Sequence, residues 1–273
     1  MKSKHYQLIT PASLRQMMGL SPWWHPVLWL LFHGLRWHRL NALYADVEPL
    51  EGRPFLQALL DWKGTKIQCP ISPDQVMPST GSCILLANHP TGALDGLSLL
   101  HQVLAYRSDV KIMGQSHLNL IPPLEPWLLP VQPIKGHGNP LYQSGKSLKK
   151  AQQWLRDGHV VIAFPAADIA ALNLAFRIKE KPWSVAALRW IQVGDVTVIP
   201  VGVKAVNRRR FYLFAWMGKG VRHALAVGEW LANKRPVAMA LNLGEAIELN
   251  EASDMKASIL ALQQQSDALA HQV

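Results

Sequence analysis

The chain is poor in cysteine, poor in acidic residues and without a long uninterrupted hydrophobic run, and each shortage excludes a class of protein. Its two cysteines, Cys69 and Cys83, form neither a disulfide framework nor a metal-ligand spacing, so we expect a reducing cytosolic compartment and no bound metal. The most apolar early stretch, Trp23–Phe32, is shorter than the about 20 residues that cross a bilayer. Because the first residues contain no long apolar segment with a cleavage site, we also expect no signal peptide.

Basic residues outnumber acidic ones, with 28 Lys and Arg against 18 Asp and Glu, which gives a net charge of +10 at pH 7. The chain also has 11 tryptophans, and indole favours the membrane interface. A basic protein has two obvious anionic partners, a lipid surface and a nucleic acid. The tryptophans cluster with leucines and do not alternate with Lys and Arg, so the pattern favours membrane lipid over nucleic acid.

One candidate membrane contact lies near the start of the chain. Trp23, Trp24 and Trp29 belong to an apolar stretch that is followed at once by basic residues between positions 33 and 39. This order is typical of an interfacial helix whose basic end lies at the lipid headgroups. An ordinary buried helix with a basic cap is the alternative.

A second candidate membrane contact is the run Arg208, Arg209 and Arg210, which precedes four aromatic residues between positions 211 and 216. Each basic residue near an anionic membrane contributes about 1 kcal/mol of attraction, so this run predicts a lipid-docking patch. A solvated charge run beside core aromatics is the alternative.

Strand and helix patterns alternate from about residue 64. The pattern predicts buried strands at Cys83–Ala87 and Val196–Val203, a continuous apolar strand at Val160–Phe164, and further strands at Val110–Met113 and, shorter, at Ala238–Leu241. Helical patterns fall at Leu94–Tyr106, Ser144–Asp157, Trp183–Ile191 and Ala252–Gln272. The proline-rich segment Leu120–Val131 predicts a rigid connector or a broken short helix.

This alternation predicts an α/β fold with a mostly parallel central sheet covered by helices. The chain's 273 residues are enough for one large domain of this kind or for two small ones. We predict an amphipathic, interfacial helical segment at residues 1–50, the main domain at 51–250 and a C-terminal helix at 251–273.

The most informative motif runs from Asn88 to Gly96, directly after the apolar strand Cys83–Ala87. It places His89 at the end of the strand and Asp95 six positions later, with a turn sequence between them. If the chain folds back, Asp95 reaches one imidazole nitrogen and the other can take a proton from a hydroxyl or an amine. This is chemistry for acyl transfer without a protein nucleophile. An incidental His and Asp is the alternative.

Several segments in unbroken order, from about residue 35 to 250, resemble the glycerolipid (lysophospholipid) acyltransferase superfamily. The most similar subgroup is the hemolysin-like one, which includes ornithine-lipid acyltransferases; its catalytic motif is one residue longer than the superfamily's usual His-x4-Asp. The matching segments are Leu40–Tyr44, Asn88–Gly96, Asn119–Leu124, Leu129–Val131, Phe164–Ala166, Pro182–Trp183, Val198–Val201, Leu231–Arg235 and Leu243–Ile247.

The resemblance implies a peripheral enzyme on the cytoplasmic face of a membrane. It implies an acyl thioester donor, carried on coenzyme A or acyl carrier protein, a lipid-like acceptor, and neither a cofactor nor a metal. His89 is the implied general base, and Asp95 orients it. The implied acceptor- or donor-binding residues are Asn88, Gly92, Gly96, Phe164, Pro165, Asp168 and Arg177.

One block departs from the subgroup. After Phe-Pro-Ala the subgroup usually continues with Gly, Glu, a small residue, Ser and Arg, whereas residues 167–171 here read Ala-Asp-Ile-Ala-Ala. Either the acceptor is not a simple lysophosphatidate, or the chain is a degenerate member that binds lipid or a partner enzyme. Arg177 and Lys179 are candidates to supply the missing positive charge, or are solvated basic residues. Asp168 is expected to contact the acceptor or to cap a helix.

Overall fold

The structure is a computed structural model. It describes residues 10–17, 20–34, 36–47, 49–115, 118, 121–131, 140–172, 178–183, 191, 194–207, 212, 236–249 and 254–272. Arg177, Arg208, Arg209, Arg210 and most of the predicted helix Trp183–Ile191 lie outside these residues. The chain forms two compact units, one of residues 1–65 with 207–237 and one of residues 66–206 with 238–273.

The first unit is helical where the structure describes it. Its helices are α1 (Pro11–Met17), α2 (His25–Gly34), α3 (His38–Val47) and α4 (Gly52–Lys63). Helix α4 ends at Gly64, a left-handed residue with φ of 67° whose N–H bonds the carbonyls of the last turn. In the described part of the chain, no helix is both long enough and apolar enough to cross a membrane.

The strands are β1 (Thr65–Gln68), β2 (Cys83–Ala87), β3 (Val110–Gln115), β4 (Leu128–Val131), β5 (Val160–Ala163), β6 (Ala171–Leu172), β7 (Ile178–Lys179), β8 (Val196–Lys204), β9 (Val237–Leu243) and β10 (Ile247–Leu249). The remaining described helices are α5 (Pro73–Val76), α6 (Ala93–Val103), α7 (Pro140–Arg156) and α8 (Met255–His271).

The main sheet has the strand order β1-β9-β8-β2-β5-β3-β4, with β10 also beside β8. Strands β8, β2, β5, β3 and β4 are parallel, and β9 and β10 run antiparallel to β8. The predicted α/β class with a mostly parallel sheet is therefore confirmed. In such sheets, ligands bind at the carboxyl ends of the strands.

Strand β2 is the centre of this sheet, and all five of its residues are fully buried. Its unbroken apolar sequence follows from burial on both faces, since helices cover a parallel sheet. Leu155 of α7 and Leu262 of α8 belong to the same core cluster as Ile84 of β2. This packing gives the loop after β2 a rigid base.

The segment Leu120–Val131 is not only the connector that its prolines predicted. A 3₁₀ helix at Pro122–Trp127 leads directly into β4, which pairs with β3 in parallel. Strand β4 lies at the edge of the sheet, where Pro130 does not interrupt a hydrogen-bond ladder on both sides. The alternative of a broken short helix is confirmed at Pro122–Trp127, which has a proline inside it. The strand at Leu128–Val131 was not predicted, because an edge position tolerates a proline that a central strand excludes.

Candidate active site

His89 and Asp95 lie together at the carboxyl end of β2. His89 follows the strand by two residues, and Asp95 lies in the first turn of α6. The imidazole Nδ1 of His89 is 3.1 Å from Oδ2 of Asp95. The Asp95 side chain is fully buried, whereas that of His89 is 19% exposed. The contact commits Nδ1 to the carboxylate, so Nε2 is the nitrogen that remains for chemistry.

The carboxylate of Asp95 is held by the turn that precedes it. Its Oδ2 accepts hydrogen bonds from the backbone N–H groups of Thr91, at 2.8 Å, and Gly92, at 2.9 Å. Its Oδ1 accepts a hydrogen bond from the Thr91 hydroxyl. The position at the start of α6 also suits a negative charge, because the helix dipole is positive there. Asp95 is therefore fixed before any substrate binds.

Nδ1 of His89 lies within ion-pair distance of Asp95. It has no well-aligned hydrogen-bond acceptor among the described residues. Catalytic hydrogen bonds are often poorly aligned before the substrate binds and tighten afterwards. A small rotation of the partly exposed ring is enough to align the pair, since the distance is already that of a hydrogen bond.

Both glycines of the motif have packing reasons to be glycine. Gly92 has φ of 95°, and a Cβ there would lie 2.9 Å from the Ile169 side chain. A Cβ at Gly96 would lie 3.2 Å from the Ile112 side chain of β3. These close contacts seat α6 on the sheet and let the turn reach Asp95.

Asn88 connects the loop that carries His89 to the neighbouring strand β8. Its Nδ2 donates to the carbonyl of Val203 at 2.9 Å, and its Oδ1 accepts from the Val203 N–H at 2.6 Å. Phe164, which follows β5, places its ring centroid 4.3 Å from that of His89, and the next residue, Pro165, is buried. The His89 loop is therefore contacted from both neighbouring strands, by the Val203 backbone of β8 through Asn88 and by Phe164 after β5.

The altered block at residues 167–171 is hydrogen-bonded to the same loop. The N–H of Ala170 donates to the carbonyl of His89 at 2.9 Å. Asp168 is 5% exposed, and its Oδ2 lies 2.6 Å from Nζ of Lys181, which is half exposed. The expectation that Asp168 caps a helix is wrong, because the turn that holds it leads into strand β6. The structure places Lys181 beside Asp168 as a cation that sequence reasoning did not name, whereas Arg177 lies outside the described residues.

Ala167 has a left-handed backbone with φ of 53°, at the position where the similar subgroup usually has glycine. This conformation costs a non-glycine residue about 1–2 kcal/mol. We expect Ala167→Gly to stabilise the protein by about 0.5–1 kcal/mol, after the greater chain entropy of glycine is subtracted. The neighbouring change Ala166→Gly, at a buried residue without a positive φ, is expected to destabilise it instead. Thermal unfolding measures the stability change of each variant. Stability changes of the same sign in the two variants would contradict the backbone strain at Ala167.

Glu180 was not predicted, although it contacts the catalytic loop directly. Its Oε1 accepts a hydrogen bond from the backbone N–H of His89 at 2.6 Å, and its Oε2 accepts one from Nε1 of Trp183 at 3.0 Å. Burial raises the pKa of Glu180 to about 7, against the opposing effect of these hydrogen bonds. In sequence it stands between Lys179 and Lys181, which is typical of solvated charges.

In the described part of the chain, no three His, Cys, Asp or Glu side chains are placed to hold a metal ion.

Comparison with known proteins connects this site to a reaction class. A family model described as acyltransferase matches residues 29–240, which is most of the chain. The lyso-glycine lipid O-acyltransferase of Phocaeicola vulgatus is 23% identical over 224 residues, covering 80% of this chain and 77% of that protein. The crystal structure of the 1-acyl-sn-glycerophosphate (LPA) acyltransferase PlsC from Thermotoga maritima superposes with a TM-score of 0.50 at 14% identity and covers 95% of each chain.

Proposed function

We propose that this chain, which belongs to the acyltransferase family, moves a fatty acyl group from a thioester to the hydroxyl of a lysolipid. The observation that carries this proposal is the contact between His89 and Asp95 at the carboxyl end of β2. A buried, hydrogen-bonded carboxylate beside a partly exposed imidazole is the arrangement of a general base and its orienting group.

In the proposed reaction, Nε2 of His89 takes the proton from the acceptor hydroxyl. The oxygen then attacks the thioester carbonyl carbon, a C–O bond forms and the C–S bond breaks. The departing thiolate recovers the proton from the imidazolium, so the enzyme returns to its starting state. Asp95 stabilises the imidazolium during the step and holds the ring in the productive orientation.

No covalent intermediate on the protein is needed, because a thioester is already activated. The Thr91 hydroxyl, in the turn after His89, and the Cys83 thiol, at the far end of β2, support this. The Thr91 hydroxyl is bound to Asp95, and burial raises the pKa of the Cys83 thiol to about 12. A thiol in this state is a poor nucleophile.

The acceptor is proposed to be a lysolipid whose head group is not a phosphate monoester, such as a lyso-aminolipid. Arginine suits a phosphate because it binds two of its oxygens at once, and residue 171 here is alanine. The nearby Lys181 shares its charge with the buried carboxylate of Asp168. The relative from Phocaeicola vulgatus, whose acceptor is a lyso-glycine lipid, supports the same class. The donor is an acyl group on coenzyme A or acyl carrier protein.

The enzyme is proposed to work at the cytoplasmic face of a membrane as a peripheral protein. Six large apolar side chains between residues 23 and 31 are exposed, among them Trp23 at 89% and Trp24 and Trp29 at about half. They account for six of the ten large apolar side chains exposed in the described part of the chain. An exposed cluster of this kind marks an interaction surface, and indole suits the lipid interface.

We expect Trp23→Ser combined with Trp29→Ser to weaken binding to lipid vesicles at least about tenfold, because two indoles no longer leave water. Sedimentation with vesicles of phosphatidylglycerol and phosphatidylcholine measures the partitioning. Leu260→Ser on α8 is the matched control, since it also removes an exposed apolar side chain. Equal partitioning of the double variant and the wild type would contradict the membrane contact.

The function is tested by comparing the lipids of cells that express the wild type or His89→Ala. An acylated lipid that appears only with the wild type supports the proposal, and its head group identifies the acceptor. Identical lipid profiles, with both proteins folded and in the membrane fraction, would contradict it. That outcome would favour the degenerate member that binds lipid or a partner enzyme.

A further inference from the structure

Glu180 connects the catalytic loop to a segment anchored far away in sequence. Its two carboxylate oxygens accept hydrogen bonds from the His89 backbone N–H and from the indole of Trp183. Trp183 is itself held, since its backbone N–H donates to Oε1 of Gln263 on α8 at 3.0 Å. Nε2 of Gln263 also donates to the carbonyl of Lys181. The carboxylate is therefore presented to His89 by a segment whose following residues are anchored to α8.

The catalytic histidine consequently has two carboxylates around it. Asp95 contacts the ring at Nδ1, and Glu180 contacts the main chain at the N–H. The hydrogen bond from the His89 N–H to Glu180 and the hydrogen bond from the Ala170 N–H to the His89 carbonyl hold the residue on both sides of its Cα. A buried negative charge near an imidazole also favours its protonated form.

We propose that Glu180 is a positioning residue for His89: it fixes the main chain of the catalytic loop and, when ionised, favours the imidazolium formed during acyl transfer. This inference rests on the proposed acyltransferase mechanism. It adds a residue that acts through His89 and contacts neither the donor nor the acceptor in the proposed acyl transfer.

The charged groups that face Glu180 come from two elements. His89, on the loop after β2, favours the ionised carboxylate, and Asp267 of α8 disfavours it. Lys179 acts on Asp267 in turn and favours its ionised form. Burial is the largest influence and raises the pKa of Glu180 to about 7, so the carboxylate gains its proton as the pH falls through neutrality.

Two pH effects follow. Activity of the wild type should fall below pH 7 more steeply than activity of a variant without this carboxylate, because Glu180 then gains a proton. Stability should change in the opposite direction. Since the folded-state pKa of Glu180 exceeds its unfolded value of 4.5, its contribution to stability is fully present below pH 4.5 and is lost as the pH rises through about 7.

The test is Glu180→Gln, assayed with palmitoyl-coenzyme A and a lyso-glycine lipid, with the pH dependence of unfolding measured in parallel. Glutamine keeps an acceptor for the His89 N–H but turns its amide donors toward the Trp183 indole. We expect kcat at pH 8 to fall at least about tenfold and the KM for the donor to change little. The decline of activity on the acid side of the pH–activity profile should become shallower. Relative to the variant, the wild type should lose stability between pH 5 and pH 8.

Glu248→Gln is the matched control. Glu248 is an exposed carboxylate on β10 that accepts a hydrogen bond from Thr197 at the opposite end of β8, so its removal should change neither kcat nor the profile. Trp183→Phe is the second variant. It keeps the Glu180 carboxylate but removes a donor that lowers the pKa of Glu180, so the acid side of its profile should move to higher pH.

Three results would overturn the inference. One is a Glu180→Gln variant with wild-type kcat and pH profile. Another is a parallel loss of kcat and stability with an unchanged profile, which indicates a purely structural residue. The third is a stability difference between wild type and Glu180→Gln that does not vary with pH. If instead His89→Ala is as active as the wild type, the proposed mechanism itself fails, so the two failures are distinguishable.

Discussion

Replacing His89 with alanine is expected to lower the turnover number by about 10²–10⁴-fold, which is the contribution of a positioned general base. In the proposed mechanism Nε2 takes the acceptor proton, and in the variant only water remains to do so. The fold should persist, because the side chain is partly exposed and its backbone N–H and carbonyl keep their bonds to Glu180 and Ala170. Release of thiol from an acyl thioester, followed with and without acceptor, measures the loss.

The chain offers a matched control for this change. His159 has a similar contact with a carboxylate, since its Nδ1 lies 3.0 Å from Oδ2 of Asp109. It lies at the amino ends of the strands, where its carbonyl bonds Cys83, so the whole length of β2, roughly 17 Å, separates it from the His89 loop. His159→Ala should therefore leave turnover nearly unchanged. A His89→Ala variant that keeps more than about a tenth of the wild-type rate would contradict the general-base role.

Asp95→Asn is expected to lower turnover by about 10²–10⁴-fold while the affinity for the donor stays nearly constant. An asparagine carbonyl can occupy the place of Oδ2 and still accept the N–H bonds of Thr91 and Gly92. Its amide then faces the Thr91 hydroxyl, which is able to accept a hydrogen bond. The turn survives, and the change removes mainly the negative charge beside the imidazole. Steady-state kinetics with varied donor separates the two quantities.

Asp95→Ala is the contrasting variant. It leaves two buried backbone N–H groups without their acceptor, at a cost of about 1–3 kcal/mol each, so it should also lower the melting temperature. An Asp95→Asn enzyme that loses turnover and donor affinity equally would point to a structural carboxylate and against the orienting role.

The central part of the fold could be predicted because strands that are buried on both faces have mostly apolar sequences. Strands β2, β5 and β8 are continuous apolar runs, and the structure places them within one residue of the predicted bounds. The resemblance to the glycerolipid acyltransferase superfamily is confirmed by the family match, whereas the hemolysin-like subgroup stays a prediction. The division into segments 1–50, 51–250 and 251–273 also stays a prediction.

Other features could not be read from local sequence, because they depend on partners that are distant in the chain. Glu180 lies between two lysines, and only the fold brings it to a backbone N–H 91 positions earlier. The strands β1 and β10 are only four and three residues long, too short for a clear alternating pattern. At Ala167 the sequence shows only that alanine replaces the subgroup's usual glycine. The positive φ explains why glycine suits that position.

The two hydrogen bonds between Asn88 and Val203 determine when, during synthesis of the chain, the loop that carries His89 can bond to β8. They join positions 115 residues apart, so this pair of bonds to the loop that carries His89 forms only after β8 has been synthesised and has paired with β2. At a synthesis rate of about 5–20 residues per second, roughly 6–20 seconds pass between the two segments. The His89 loop therefore reaches its final placement late, when most of the chain exists, and a truncated product that ends before β8 carries the whole motif but lacks the strand that Asn88 bonds.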